Sequence, residues 1–289
     1  MLPILAVIAA MAAFQIGGAF AKGLFPVVGP PGAATLRLVI GAMIMLAFTR
    51  PWRAPPQGRS WLPILGLGAA IAASMLMFYQ ALSRLPLGVT IALQFLGPLT
   101  LAILGSRRPV DLIWAALAGL GVWALVGIGF NAAKLDPIGV AWALGAGAGW
   151  AAYILFGRTA GSTGGAASAA LATLVAALIV TPLGWHHAGA QLLSLALLPA
   201  ALILGLFTSA IPISLEIYAM PRMPTRTYAV FMSLEPVFGA LSGLIILGER
   251  LTLNQAGGVL CVVIAAAGSA WSSRDRGPGI SDTKTQPSV

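Results

Sequence analysis

The feature that most constrains the fold of this chain is a series of ten apolar runs, separated by short polar connections. A helix that crosses a bilayer needs roughly 20 mostly apolar residues, and each run approaches that length. The runs therefore predict an all-α polytopic membrane protein with ten transmembrane helices. They cover residues 1–21, 31–49, 61–82, 88–105, 111–129, 137–156, 166–183, 194–217, 227–247 and 255–272.

Composition excludes a soluble fold for these runs. Of the 289 residues, 59% are apolar and 8% are charged, whereas soluble domains carry about 25% charged residues. The net charge of +9 could suggest nucleic acid, but the basic residues are scattered among short loops and form no patch. We therefore expect membrane lipid, and no nucleic acid, as a partner.

The positions of the basic residues indicate how the chain is oriented. With the N-terminus inside, eleven lie in cytoplasmic segments and four outside, while Arg37 lies within a run. Because Lys and Arg concentrate on the cytoplasmic side, we expect a multi-pass membrane protein whose N- and C-termini are both cytoplasmic. The eleven are Arg50, Arg53, Arg59, Arg107, Arg108, Arg158, Arg222, Arg226, Arg274, Arg276 and Lys284, and the four are Lys22, Arg84, Lys134 and Arg250.

The chain also contains an internal repeat. A displacement of 138 positions lays ALSRLPLGVTIALQFLGPL (81–99) over AMPRMPTRTYAVFMSLEPV (219–237), with prolines coinciding at Pro98 and Pro236. A displacement of 136 pairs Lys22 with Arg158. The repeat predicts one five-helix unit over 1–130 and a second over 131–272. The polar composition of the segment that follows, with Gly277, Pro278 and Gly279 near its start, predicts a disordered cytoplasmic tail over 273–289.

Five spans per half is an odd number, so the second half must enter the membrane with the opposite orientation. Inverted repeats around a midplane site, often beside interrupted helices, are typical of secondary transporters. Pro98 and Pro236 each remove one backbone hydrogen bond and leave the carbonyls of Gln94 and Met232 without their helical donors. These prolines could mark the site, or they could be kinks that serve packing.

Four stretches identify a known family. AKGLFPVVGPPGAATLRL (21–38), FLGPLTLAILGSRRPVDLIWA (95–115), LGAGAGWAAYILFGR (144–158) and MPTRTYAVFMSLEP (223–236) resemble the bacterial threonine/homoserine exporters. These belong to the drug/metabolite transporter superfamily with its EamA-type repeat. The resemblance implies a ten-helix exporter of the bacterial inner membrane that carries threonine, homoserine and related small amino acids, driven by the proton gradient.

This chain departs from one pattern of the superfamily. The small multidrug relatives carry a membrane-embedded Glu in their first helix, whereas this chain has Gln15 in that region and no acidic residue before Asp111. Proton coupling through a first-helix carboxylate is therefore not expected.

Two carboxylates within the runs are candidates for proton coupling. Ionisable groups at membrane depth are costly and by default indicate function. Glu235 lies near the middle of the ninth run beside Pro236, and Glu216 lies towards the cytoplasmic end of the eighth. Glu235 could bind the substrate ammonium or carry the exchanged proton, or it could be a structural partner of Ser233 or a freed carbonyl. Glu216 could instead pair with Arg222 or Arg226.

The remaining candidate binding residues are Arg37 and five large polar or aromatic side chains. Arg37 could hold a substrate carboxylate through two parallel hydrogen bonds, or it could anchor a Glu or a lipid phosphate. By resemblance, the others lie in helices that line the central cavity, although Tyr79 and Tyr153 could equally belong to an aromatic girdle at the membrane edge. The five are Gln15, Gln94, Tyr79, Trp150 and Tyr153.

Other chemistry is not predicted. His186 and His187 have no carboxylate or cysteine nearby in the sequence, so no metal site is expected. No nucleotide-binding loop or nucleophile motif occurs, so we expect neither a cofactor nor an enzyme. The alternative within transport is an EamA-type exporter of another small metabolite or a drug. The sequence leaves the substrate range, the coupling stoichiometry and the oligomeric state open.

Overall fold

The computed structural model describes residues 2–53, 56, 58, 61–104, 110–126, 135–212, 215, 219, 222 and 230–272, and its longer elements within those ranges are α-helices. They are α1 (Leu2–Gly23), α2 (Phe25–Thr49), α3 (Trp61–Leu82), α4 (Leu87–Leu104), α5 (Val110–Val126), α6 (Pro137–Ala188), α7 (Leu198–Gly205), α8 (Glu235–Leu247) and α9 (Leu253–Ser272). Short 3₁₀ turns connect α6 to α7, and a π-helical turn over Leu206–Ala210 follows α7. The predicted tail over 273–289 lies outside the described residues.

The lengths of these helices confirm a multispanning membrane protein. Seven helices of the described chain are long and apolar enough to cross a membrane. Three shorter apolar helices, Leu87–Leu101, Leu112–Leu125 and Leu195–Ser209, occupy the predicted fourth, fifth and eighth runs. That the chain crosses the membrane ten times remains a prediction.

Two glycines with positive φ divide the longest helices. Gly29 in α2 has φ 68°, directly before Pro30 and Pro31. Gly165 in α6 has φ 54°, a value that L side chains rarely adopt. It divides α6 into two apolar arms, Pro137–Gly157 and Gly165–Leu193. These arms correspond to the predicted sixth and seventh runs.

The helices pack around α6, which contacts α2, α3 and α4, while α9 packs on α5 and α8 packs on both α4 and α1. Small residues bring the backbones close together, as they do in membrane helix pairs. At Gly97 of α4, an added Cβ would collide with the carbonyl of Gly147 in α6. Large apolar side chains such as Phe48 and Ile245 lie on the outer surface, 82% and 78% exposed, as expected of residues that face lipid.

The two repeat-related prolines behave differently. α4 remains helical through Pro98, so this proline does not interrupt its helix. A Cβ at Gly147 would lie 2.6 Å from the carbonyl oxygen of Gln94, so the carbonyl that Pro98 frees is covered by α6. Pro236 stands in the first turn of α8, and the chain turns at residues 233–234 immediately before that helix. The predicted interruption beside Glu235 is present.

Candidate functional site

Glu235 is the first residue of α8 and lies directly after the turn in the chain. Its side chain is buried, with 7% of the residue exposed. The first turn of a helix favours a carboxylate, because the helix dipole places partial positive charge there. The local sequence therefore provides a buried position that tolerates a negative charge.

One hydrogen-bond partner of Glu235 comes from the other half of the chain. Gln15 Nε2 in α1 donates to Glu235 Oε1 over 3.1 Å, and Gln15 is 1% exposed. The hydroxyl of Ser233, proposed above as a structural partner, instead donates to the carbonyl of Val230 over 2.6 Å. The glutamine that occupies the first-helix position thus binds the carboxylate of the second half.

Arg37 lies in α2 and contacts Phe14 of α1. Its guanidinium carbon lies 4.7 Å from the centre of the Phe14 ring, a cation–π distance, and the residue is 7% exposed. The buried Nη1 group has no hydrogen-bond partner. Within the described residues, no carboxylate forms an ion pair with Arg37. Because a buried cation without an anion is costly, this side chain is suited to receive an anionic group.

The other predicted binding residues lie mainly on the side of α3, α4 and α6. Gln94 Nε2 donates to Ser74 Oγ over 3.4 Å, and Ser74 in turn donates to the carbonyl of Ala146 over 2.9 Å. Trp150 makes an edge contact with Phe95, with ring centres 5.5 Å apart. Gln94 and Trp150 therefore belong to the contact region where α4 packs against α3 and α6.

The two tyrosines differ from each other. Tyr79 is fully buried between the rings of Phe25 and Phe78, and its hydroxyl has no hydrogen-bond partner. Tyr153 is 41% exposed. Complete burial does not fit a girdle position for Tyr79.

Glu216 and Arg226 lie outside the described residues, so the pairing considered for them is untested. His186 and His187 lie at the end of α6. Over the described ranges, no group of His, Cys, Asp and Glu could hold a metal ion.

A cavity of about 370 Å³ lies away from Glu235, between α2, the second arm of α6 and the start of α7. Its lining is almost wholly apolar and includes Val39, Ile40, Trp185 and Leu198. A zwitterion would lose its hydration there without gaining charged partners. The buried polar side chains of Glu235, Gln15 and Arg37 are therefore the better candidates for a binding site.

Glu235, Gln15 and Arg37 were identified separately from the sequence, but the hydrogen bond between Gln15 and Glu235 and the contact of Arg37 with Phe14 were missed. Phe14, which contacts Arg37, was not among the predicted binding residues. The spacing within one helix does not reveal which helices become neighbours, so no sequence signal connected Phe14 to Arg37.

Known proteins similar to this chain are transporters. The profile of the EamA-like transporter family matches residues 137–271. The threonine/homoserine exporter RhtA of Salmonella typhimurium (strain SL1344) is 44% identical over 273 residues, covering 94% of this chain and 92% of the relative. RhtA of Escherichia coli K12 is 43% identical over the same shares.

More distant matches cover most of the chain as well. The uncharacterized transporter YwfM of Bacillus subtilis (strain 168) is 27% identical, covering 81% of this chain and 82% of the relative. A solved crystal structure, 19% identical, matches with a TM-score of 0.58 over 92% of this chain and 96% of that chain, which shows a shared fold. The extent and identity of the match to RhtA show that this chain belongs to the family of EamA-like transporters that includes the RhtA exporters.

Proposed function

We propose that this protein is an inner-membrane carrier that exports threonine, homoserine and related small amino acids in exchange for protons. The named cargo of relatives that are 44% and 43% identical supports the substrate class. The observation that carries the mechanism is the buried Glu235 carboxyl group, which accepts a hydrogen bond from Gln15 beside a break in the helix.

In this proposal Glu235 binds either a proton or the substrate ammonium group. A carboxylate that has taken a proton no longer attracts an ammonium group, so the two bind alternately at one position. Alternation of this kind couples proton entry to amino-acid exit. Glu216 is the second candidate for the proton-binding residue.

The substrate carboxylate would bind to Arg37. A guanidinium offers two parallel hydrogen bonds to a carboxylate, and Nη1 of Arg37 is buried without a partner. Glu235 and Arg37 would thus recognise the two charges that all α-amino acids share. Gln94, Tyr79, Trp150 and Tyr153 would line the path of the neutral side chain.

The orientation is part of the proposal. The halves 1–130 and 131–272 would lie in opposite orientations, with both termini cytoplasmic. Cysteines introduced at Arg59 and Lys134 should then react with impermeant reagents from opposite sides of the membrane. Reaction of both from outside intact cells would contradict the inverted repeat.

The test is efflux of threonine and homoserine from loaded proteoliposomes, with and without a pH gradient. We expect efflux that a proton gradient directed into the vesicles accelerates. Overproduction should also lower the internal threonine pool and protect cells against inhibitory threonine or homoserine. No efflux of either, with the protein present in the membrane, would overturn the substrate assignment, and a different metabolite or a drug would be tested next.

A further inference from the structure

At the C-terminal end of α1, an ion pair and two hydrogen bonds join three segments of the chain. Lys22 Nζ lies 2.6 Å from Glu249 Oε1 and also donates to the carbonyl of Leu85 over 2.8 Å. The second oxygen, Glu249 Oε2, accepts from the backbone N–H of Leu87 over 2.7 Å. We call this set of contacts the clasp. It links the end of α1, the start of α4 and the loop between α8 and α9.

The loop that carries Glu249 has a fixed backbone. Gly248 ends α8 with φ 68°, and its N–H donates to the carbonyl of Gly243. The N–H of Glu249 donates to the same carbonyl over 3.0 Å. Thr252 and Gln255 then form a reciprocal capping box at the start of α9, which fixes the beginning of that helix. Glu249 is thereby held by local hydrogen bonds on both sides.

The clasp lies on the same face of α1 as the candidate site. Gln15, Gly18 and Lys22 are spaced by three and four residues, so they share one helix face. The seven residues from Gln15 to Lys22 correspond to about 10 Å along the helix axis. A Cβ at Gly18 would lie 3.9 Å from Gln15 Oε1 and 3.8 Å from Leu87 Cδ1. This face therefore runs from the Gln15–Glu235 contact to the clasp.

The helices α4 and α8 are in close contact beside this face of α1. A Cβ at Gly88 of α4 would lie 2.6 Å from Ala240 Cα of α8. One turn further, a Cβ at Gly239 would collide with the side chain of Ile91. Since α4 and α8 touch at backbone distance, a substrate cannot pass between them in this state.

We propose that Lys22 and Glu249 form the external gate of the export path. This inference rests on the proposed export function and orientation, in which the end of α1 at Lys22 faces outward. The ion pair holds α1, α4 and the α8–α9 loop together while the site is loaded from inside. It separates to let the amino acid leave, and re-forms afterwards.

The experiment measures how fast a cysteine behind the gate reacts with an impermeant, cationic thiol reagent added from outside. The reporter is Gly18→Cys in a Cys261→Ala background, since Cys261 is the only native cysteine. We expect Lys22→Met and Glu249→Gln each to accelerate external labelling roughly tenfold, the change produced when an open state rises from about 1% to 10% of molecules. Ser233→Cys, a nearly isosteric change beside Glu235, serves as the second reporter if Gly18→Cys does not fold.

A second ion pair supplies the matched control. Arg84 and Asp136 are 2.8 Å apart, with side chains 42% and 31% exposed, and they join the loop before α4 to the start of α6. Arg84→Met and Asp136→Asn should leave the labelling rate unchanged. The gate is overturned if the Lys22 and Glu249 variants also label at the parent rate, or if acceleration occurs only in inverted vesicles. Because labelling needs no substrate, a failure of threonine efflux would contradict the proposed function without deciding the gate.

Discussion

The same repeat position has opposite uses in the two halves of the chain. The displacement of 138 that aligns Pro98 with Pro236 also aligns Gly97 with Glu235. In α4, Gly97 is pressed against the backbone of Gly147, where no side chain fits. In the second half, a turn at residues 233–234 precedes α8, and Glu235 at the start of that helix accepts a hydrogen bond from Gln15. The halves are thus related in sequence but not in chemistry: one position packs a helix pair, and the other holds a carboxylate.

The largest expected effect comes from Glu235→Gln. The amide keeps the shape of the side chain and an oxygen that can accept from Gln15, but it cannot gain and lose a proton. We expect export against a concentration gradient to be abolished. Exchange of one amino acid for another should continue with a higher KM, because the substrate ammonium group loses its ionic partner. Transport in proteoliposomes over a series of pH gradients measures this, with Asp136→Asn as the exposed-carboxylate control. Wild-type accumulation by the Glu235→Gln protein would make Glu235 structural and leave Glu216 as the next candidate.

Gly97→Ala tests the packing side of the comparison. The added Cβ would collide with the Gly147 carbonyl, so α4 and α6 must separate, at a cost of about 1–3 kcal/mol. Thermal unfolding in detergent should show a clearly lower Tm. Gly119→Ala in α5 is the matched control, because a Cβ there meets nothing within 4 Å. Equal Tm values for the two variants would show that the α4–α6 contact is loose.

Alanine replacements of the two prolines sharpen the comparison further. Pro98→Ala should change transport little, because α4 is already helical through that position. Pro236→Ala removes a residue that favours helix initiation, so α8 can extend back through Leu234 and reposition Glu235. We expect a severalfold lower export rate for Pro236→Ala alone. Equal rates for both variants would mean that the break before Glu235 does not depend on its proline.

The smallest effect concerns Asp136, at the start of α6. The hydrogen bond from Arg84 holds the pKa of Asp136 below its ordinary value of 3.8. A carboxylate with a lowered folded-state pKa stabilises the fold above its unfolded pKa, and that contribution disappears as the pH falls through the folded value. Asp136→Asn should keep the cap on Ile138 N and remove only this pH dependence. Tm measured between pH 3 and 7 should therefore fall less steeply on acidification than in the parent protein.

The helices, and the selection of Glu235 and Gln15 as separate candidates, were predictable because both depend on local sequence. Apolar runs set the lengths of the helices, and a carboxylate within such a run stands out at Glu235. The contacts between helices were not predictable in this way. Gln15 was noted for the acid it replaces, yet its role as partner of Glu235 depends on α1 packing against α8. Likewise Lys22 was noted only as a topological charge and as the repeat partner of Arg158, since nothing near it in sequence points to Glu249.

The short connection between α8 and α9 also determines how the gate can move. Its backbone is held by the hydrogen bond from Glu249 N–H to the Gly243 carbonyl and by the capping box at Thr252. These bonds leave Glu249 little freedom to move away from Lys22 by itself. If the gate opens by movement of Glu249, α8 and α9 therefore tilt together as one hairpin. Such collective motions take microseconds to milliseconds, slower than a side-chain rotation. The turnover of the carrier would then be limited by the movement of two whole helices, and a thicker or stiffer bilayer should slow it.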